Sequence, residues 1–316
     1  MGEIMESATA GEPRLVLEGG TRASGVIKHG TEGRPLISVI TVVYDGESVL
    51  EATLQSSIGQ TYPNIEILVI DGGSTDRTVE VIRRFDRSID YWVSERDNGI
   101  YDAMNKGLAR ATGDWVIFMN SGDQFHSSAV IQALHDRGAF SRYDLVYGDC
   151  EMVCANGYKR ILRSRRVENL WKGIVCSHQS LFAKRSLFKD NPFDNSGGIT
   201  RDASKRETGN RRQLFESEFQ FALKCYVEKR SFGRVPIVIS RVAAGGTSHP
   251  ERVTIAFSLY NVVKKFKPSL KTILYHWFNI GWQAAKLSVR AVLFASVTDA
   301  LIKAKGYIYT VMTKQR

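Results

Sequence analysis

Four short apolar runs, each closed by a cluster of small polar and acidic residues, constrain this chain more than any other feature. Ile37-Ser38-Val39-Ile40-Thr41-Val42-Val43 and Ile65-Glu66-Ile67-Leu68-Val69-Ile70 are rich in β-branched residues. They read as strands covered on both faces, as in a parallel sheet. Tyr91-Trp92-Val93 and Trp115-Val116-Ile117-Phe118-Met119 continue the series, and helical patterns over 47–58, 76–85 and 101–111 alternate with them. Ser74 or Thr75 is expected to cap the second helix, with Asp76 in its first turn where the helix dipole favours an anion. Strands alternating with helices of this length imply an α/β fold, a Rossmann-like, mostly parallel sheet with helices on both faces.

Past residue 140 the pattern loosens. Leu145-Val146-Tyr147 and Ile237-Val238-Ile239 read as further strands and Leu214–Val227 as a helix. Residues 195–213 are polar and nearly without apolar side chains, so they are expected to form a loop or lid.

In an open α/β sheet, ligands bind beyond the carboxyl ends of the strands. There the sequence sets Tyr44, Asp45 and Glu47, then Asp71 to Asp76, then Glu95 to Asn98, then Asn120-Ser121-Gly122-Asp123. Any one cluster could be an ordinary turn. Four in register suit a nucleotide and a divalent cation. A dehydrogenase is disfavoured because no G-x-G-x-x-G follows the first strand. A nucleotidyltransferase is disfavoured because Tyr44-Asp45-Gly46-Glu47 is not a Gly- and Arg-rich phosphate loop.

Charge decides a further class. The chain holds 43 Lys plus Arg against 33 Asp plus Glu, but residues 264–316 alone contain ten basic residues and one acid, Asp299. A near-neutral body with a basic tail does not suit a nucleic-acid binder. The four cysteines make no C-x-x-C pair and no zinc spacing, so free thiols are expected. Cys176 and His178 lack the third group that a nucleophilic pair needs. Residues 1–34 are polar and Gly-rich with no signal-peptide core, and read as a flexible tail.

The pieces carrying the strands and their polar ends resemble a family, the family 2 nucleotide-sugar glycosyltransferases with the A-type glycosyltransferase (GT-A) fold. The resemblance rests on Ser38–Tyr44, Val69–Asp76, Asp97-Asn98-Gly99-Ile100-Tyr101-Asp102-Ala103-Met104-Asn105-Lys106-Gly107 and Gly113–Asp123, in order and at similar spacing. Further on, His178-Gln179-Ser180-Leu181-Phe182 and Ala244-Gly245-Gly246-Thr247-Ser248 look like the bacterial polysaccharide-assembly branch. The resemblance implies a catalytic domain over 35–248, with a nucleotide-sugar half at 35–125 and an acceptor half at 126–248. Basic, aromatic helices would follow over 249–316.

It also implies roles. Val43, Tyr44, Asp71, Asp97, Asn98, Asp102, Asn105 and Asn120 would line the nucleotide-sugar cleft, with Asp71 helping to recognise the base. Asp123 would hold Mg²⁺ or Mn²⁺ against the diphosphate. His178 and Gln179 would contact the acceptor or the diphosphate. Glu218, with Glu216 as the other candidate, would take the proton from the acceptor hydroxyl in an inverting transfer. The chain departs from the family at Gly72, where a second acid is common, and at Asn120 and Gly122, where the metal motif often carries carboxylates. A non-catalytic nucleotide-sugar-binding scaffold is therefore the alternative.

Residues 264–295 mix Lys with Trp and Tyr and hold no uncharged span of 18 residues. This suits a helix lying on an anionic bilayer rather than crossing it. The expected setting is cytoplasmic, peripheral on the inner face of the cell membrane. The expected partners are a nucleoside-diphosphate sugar, a glycolipid or saccharide acceptor and a second copy of the chain.

Overall fold

The run Ile37–Val43 is buried at every position, and so is Ile65–Asp71, as befits strands covered by helices on both faces. The computed structural model describes residues 16–189, 191–194, 216–244, 252–286 and 288. The chain divides into two compact units, Met1–His249 and Pro250–Arg316. In chain order the first unit has β1 (Leu17–Gly19), β2 (Ile37–Val43), α1 (Leu50–Ile58), β3 (Ile65–Asp71), α2 (Thr78–Arg84), β4 (Tyr91–Ser94), α3 (Ile100–Arg110) and β5 (Trp115–Phe118). It continues with β6 (Gln124–Phe125), α4 (Val130–Asp136), α5 (Ala139–Arg142), β7 (Leu145–Val153), β8 (Lys159–Leu162), β9 (Leu181–Lys184), α6 (Glu216–Val227) and β10 (Phe232–Ala243). The second unit holds α7 (Arg252–Lys264) and a helix over 270–286.

Among the described residues the strands form one sheet in the order β1-β4-β3-β2-β5-β9-β7-β10-β6, with β8 on β7. Pairing directions make β4, β3, β2, β5, β7 and β10 run one way, and β1, β9, β6 and β8 the other. The long central strands are therefore parallel, as expected, and the short ones reverse at the edges and at β9. Alternate side chains feed two cores. Val39, Ile67 and Ile117 pack under α1, α2 and α4, while Ile40, Leu68 and Val116 pack under α3 and α6. Each such fully buried aliphatic side chain contributes about 1.5–3 kcal/mol.

Several expectations change. Part of the flexible tail assigned to 1–34 is structured: β1 pairs antiparallel with β4, and Arg22 forms an ion pair with buried Glu66. The helix expected from 47 begins at Leu50, because the N–H groups of Gly46 and Glu47 are bound by the side chains of Thr78 and Asp76. The helix expected from 76 begins at Thr78, capped by neither Ser74 nor Thr75; Asp76 itself accepts from the Thr78 N–H at 2.9 Å. β7 and β10 run well past the three residues expected of each. Strands β6, β8 and β9 were not anticipated, being short or half-exposed. The loop 195–213 and residues 245–248 lie outside the described residues.

Candidate active site

The loops leaving β2 and β3 at their carboxyl ends are laced together. Asp45 accepts from Thr75 N–H at 2.8 Å while its own N–H reaches Ser74 Oγ, also at 2.8 Å. Val43 is buried at the strand end and Tyr44 exposed beside it. Asp71 is wholly buried, and its carboxylate is taken up by Ser74, Ser94 and the Gly73 and Ser74 N–H groups. With its oxygens so engaged, Asp71 shapes the turn at the carboxyl end of β3.

The next stretch is similarly engaged. Asp97 accepts from Gly99 N–H at 2.7 Å, and Asp102 from Asn98 N–H at 2.9 Å. Asp102 also lies 3.7 Å from Lys106. Asn105 clamps the backbone of Phe193 from both sides, at 2.8 and 2.9 Å. Asn105, three residues from Asp102 on α3, thus secures the backbone at Phe193.

At the end of β5 the polar groups are less fully partnered. His178 sits on a 3₁₀ turn, His178–Ser180. Its Nδ1 lies 3.1 Å from Glu218 Oε2 in the first turn of α6, and its Nε2 lies 3.1 Å from Asn120 Nδ2. An imidazole donating from Nδ1 to the carboxylate and accepting at Nε2 satisfies both contacts. Burial alone would lower the His178 pKa, but the Glu218 carboxylate and Asp123 hold it raised. Gln179 accepts from Ser177 Oγ and donates to Asp123 Oδ2 at 2.6 Å. Burial lifts the Asp123 carboxyl to about 6; Glu218 adds to the rise, and His178 and Gln179 oppose it.

Three side-chain oxygens here are buried with no hydrogen-bond partner among the described residues: Asn120 Oδ1, Ser121 Oγ and Tyr101 Oη. The Tyr101 hydroxyl is pushed up by burial and by the charge of Glu218. Tyr101 was not anticipated as a site residue, because a Tyr in the first turn of an amphipathic helix reads as core. Gly122 adopts φ +95°, a left-handed conformation. That explains why no acid stands there: any L-residue would be strained.

Among the described residues no group of three or more His, Cys, Asp and Glu side chains could hold a metal ion. The hard oxygens at this edge are Asp123 and the unpaired Asn120 and Ser121 oxygens. Such a set fits Mg²⁺ or Mn²⁺ that keeps waters and arrives with diphosphate oxygens. A cavity of about 830 Å³ lies at the amino end of β5, beside Asp114, Lys184 and Arg185. Two of its cations are engaged, Lys184 by Asp144 and Arg185 by the Gly113 carbonyl, and it stands apart from the carboxyl-edge cluster.

With this geometry in view, known proteins can be compared. The model of the family described as glycosyl transferase family 2 matches residues 38–219, more than half of the chain. A PGL/p-HBAD biosynthesis glycosyltransferase of Mycobacterium tuberculosis is 33% identical over 159 residues, 49% of this chain and 61% of that relative. The chain thus spans less than two thirds of the length of the curated relatives it matches. A 1–349 fragment of S. aureus TarS, solved with UDP, superimposes with a TM-score of 0.53 at 15% identity, covering 78% of this chain and 69% of that fragment. A mannosyltransferase of Pyrobaculum calidifontis, solved with GDP-Man and Mn²⁺, gives 0.53 at 19% identity, covering 82% and 76%. At such identities the likeness is one of fold, and it matches the GT-A architecture expected. The chain belongs to glycosyl transferase family 2.

Proposed function

We propose that this chain is an inverting glycosyltransferase. It moves a sugar from a nucleoside-diphosphate sugar to a hydroxyl of a lipid-linked or polysaccharide acceptor, at the cytoplasmic face of a membrane. The observation that carries this reading is the meeting of Glu218, His178 and Asn120, drawn from α6, a 3₁₀ turn and the end of β5, at the carboxyl edge of the sheet. Neighbours of the same fold solved with UDP, UDP-GlcNAc and GDP-Man support the donor class.

In this reading the acceptor oxygen attacks the anomeric carbon while Glu218 takes its proton. The bond to the diphosphate breaks, and the nucleoside diphosphate leaves with the electron pair. His178 is a positioning residue whose Nδ1–H fixes the carboxylate, itself held by Asn120. Asp123 would hold Mg²⁺ or Mn²⁺, which when bound offsets the negative charge gathering on the departing diphosphate. Gln179 orients Asp123. Val43, Tyr44, Asp97, Asn98 and Asp102 form the cleft walls, with Asp71 and Asn105 as braces.

The test is Glu218→Gln in a transfer assay with product anomer analysis. The expected result is a fall of about 10³ in kcat, with nucleoside-diphosphate binding retained, and an inverted product from wild type. Wild-type turnover in the variant would overturn Glu218 as the base, whereas nucleoside-diphosphate binding with no turnover in wild type itself would leave the non-catalytic nucleotide-sugar-binding scaffold as the better reading.

A further inference from the structure

The helix over 270–286 in the second unit carries its apolar face outward. Leu270, Leu274, Trp277, Phe278 and Trp282 recur at spacings of three and four and so share one side of it. They are 71%, 60%, 53%, 72% and 53% exposed. Across the helix, His276 is fully buried, and Asn279 accepts from Gln283 at 3.3 Å. Tyr260 of α7 packs against the helix, with its ring 6.0 Å from that of His276 and 5.5 Å from that of Trp277 at the border of the stripe. Ile280 is buried on the inner side with His276, so the exposed stripe is a second apolar face whose exposure forgoes burial energy. The outer face therefore needs a partner.

We infer that this face lies on an anionic lipid bilayer, with the helix axis in the membrane plane. Charge selects that occupant. Residues 252–298 contain seven Lys or Arg and no Asp or Glu. Lys267 and Lys271 are exposed beside the stripe, and Lys286 Nζ sits 4.9 Å from the Trp282 ring centre. Two copies of so uniformly basic a face repel one another, whereas phosphate headgroups attract it. Tryptophan and tyrosine rings beside lysines match the polarity step between acyl chains and headgroups. No helix among the described residues is long and apolar enough to cross a membrane, so the contact is peripheral. This inference gives the membrane placement proposed above a surface, and rests on that reading only for its purpose. Vesicle binding is scored without any sugar transfer, so either can fail alone.

The experiment is co-sedimentation of the full chain with phosphatidylcholine vesicles, with and without phosphatidylglycerol, at low and high salt. Wild type should bind the anionic vesicles about tenfold better than the neutral ones, with salt weakening the difference. Leu274→Glu with Phe278→Glu should lower binding by at least about tenfold. Lys267→Glu with Lys271→Glu, which leaves the apolar stripe intact, should lower it in the anionic case alone. A blue shift of wild-type tryptophan emission on anionic vesicles supports the same contact should the apolar double variant misfold. The inference is overturned if wild type ignores anionic vesicles, or if both double variants bind as wild type does. It is equally overturned if the face instead holds two copies together, read as a dimer in sedimentation that Phe278→Glu breaks without any lipid binding.

Discussion

The two edges of the sheet treat a carboxylate in opposite ways. At the amino edge, Glu66 of β3 is wholly buried and saturated. It accepts from Ser38 and Arg22, from Thr112 Oγ1 at 2.6 Å, and from the N–H groups of Thr112 and Gly113 at 2.7 and 2.9 Å. Burial alone would raise its pKa, but Ser38, Thr112 and Arg22 hold it below the usual value. At the carboxyl edge, partly exposed Asp123 has Gln179 as its hydrogen-bond partner, its pKa is raised to about 6, and the Asn120 Oδ1 and Ser121 Oγ atoms before it lack partners among the described residues. A buried acid whose bonds are complete holds the fold together. One left incomplete is poised for a ligand.

The largest effect that separates the edges is on stability. Glu66→Ala strands Arg22 and Thr112 and should cost about 3 kcal/mol, seen as a fall of roughly 6 °C or more in Tm, with nucleoside-diphosphate affinity of the folded protein unchanged. A loss of ligand binding at constant Tm would break the contrast. Next comes the carboxyl edge. His178→Ala should lower kcat by about 30-fold, or about 2 kcal/mol, leaving donor KM unchanged. His178→Asn, which keeps a donor near Nδ1, should recover more of that loss than His178→Gln, whose amide reaches towards Asn120 instead. Equal recovery by both would deny that the Nδ1 contact to Glu218 matters.

The two acids should also respond to pH with opposite signs. Glu66, with its folded pKa lowered, stabilises the protein above the unfolded value of about 4.5, and that contribution is lost as pH falls through the folded pKa. Asp123, raised from 3.8 to about 6, contributes below 3.8 and loses that contribution as pH rises through 6. Without ligand, Asp123→Asn should therefore stabilise the protein at pH 7, by about 1 kcal/mol after allowing for its partial exposure, and this gain should shrink as pH falls through 6 and vanish below about pH 4. The smallest effect concerns the loop itself. Gly122→Ala should cost about 1 kcal/mol or less through φ +95° alone, since an added Cβ meets nothing nearer than Val49 at 3.8 Å.

What the sequence made legible was whatever is local. The period of the β-branched runs and the turn residues after them set β2 to β5 and the edge where ligands bind. Glu218, His178, Asn120, Asp123 and Gln179 were all named, and the fold gathers them from stretches nearly a hundred residues apart. The Glu66 clasp was not legible, since its partners Arg22 and Thr112 lie 44 and 46 residues away. The part Asp71 plays in its turn was hidden for a related reason: the sequence displays a carboxylate but not the four donors that reach it. Tyr101 was hidden because a hydroxyl without a partner is visible only once α6 packs against α3. The outward stripe of residues 270–286 was legible as composition, but which side it faced was not.

The central claim, that the incomplete edge is built for a metal-bound diphosphate, is tested most directly by thermal shift with UDP and GDP, each with and without Mn²⁺, on wild type and Asp123→Ala. One nucleoside diphosphate should raise Tm only when Mn²⁺ and Asp123 are both present. No shift with either nucleotide, or an equal shift in Asp123→Ala, would contradict the account.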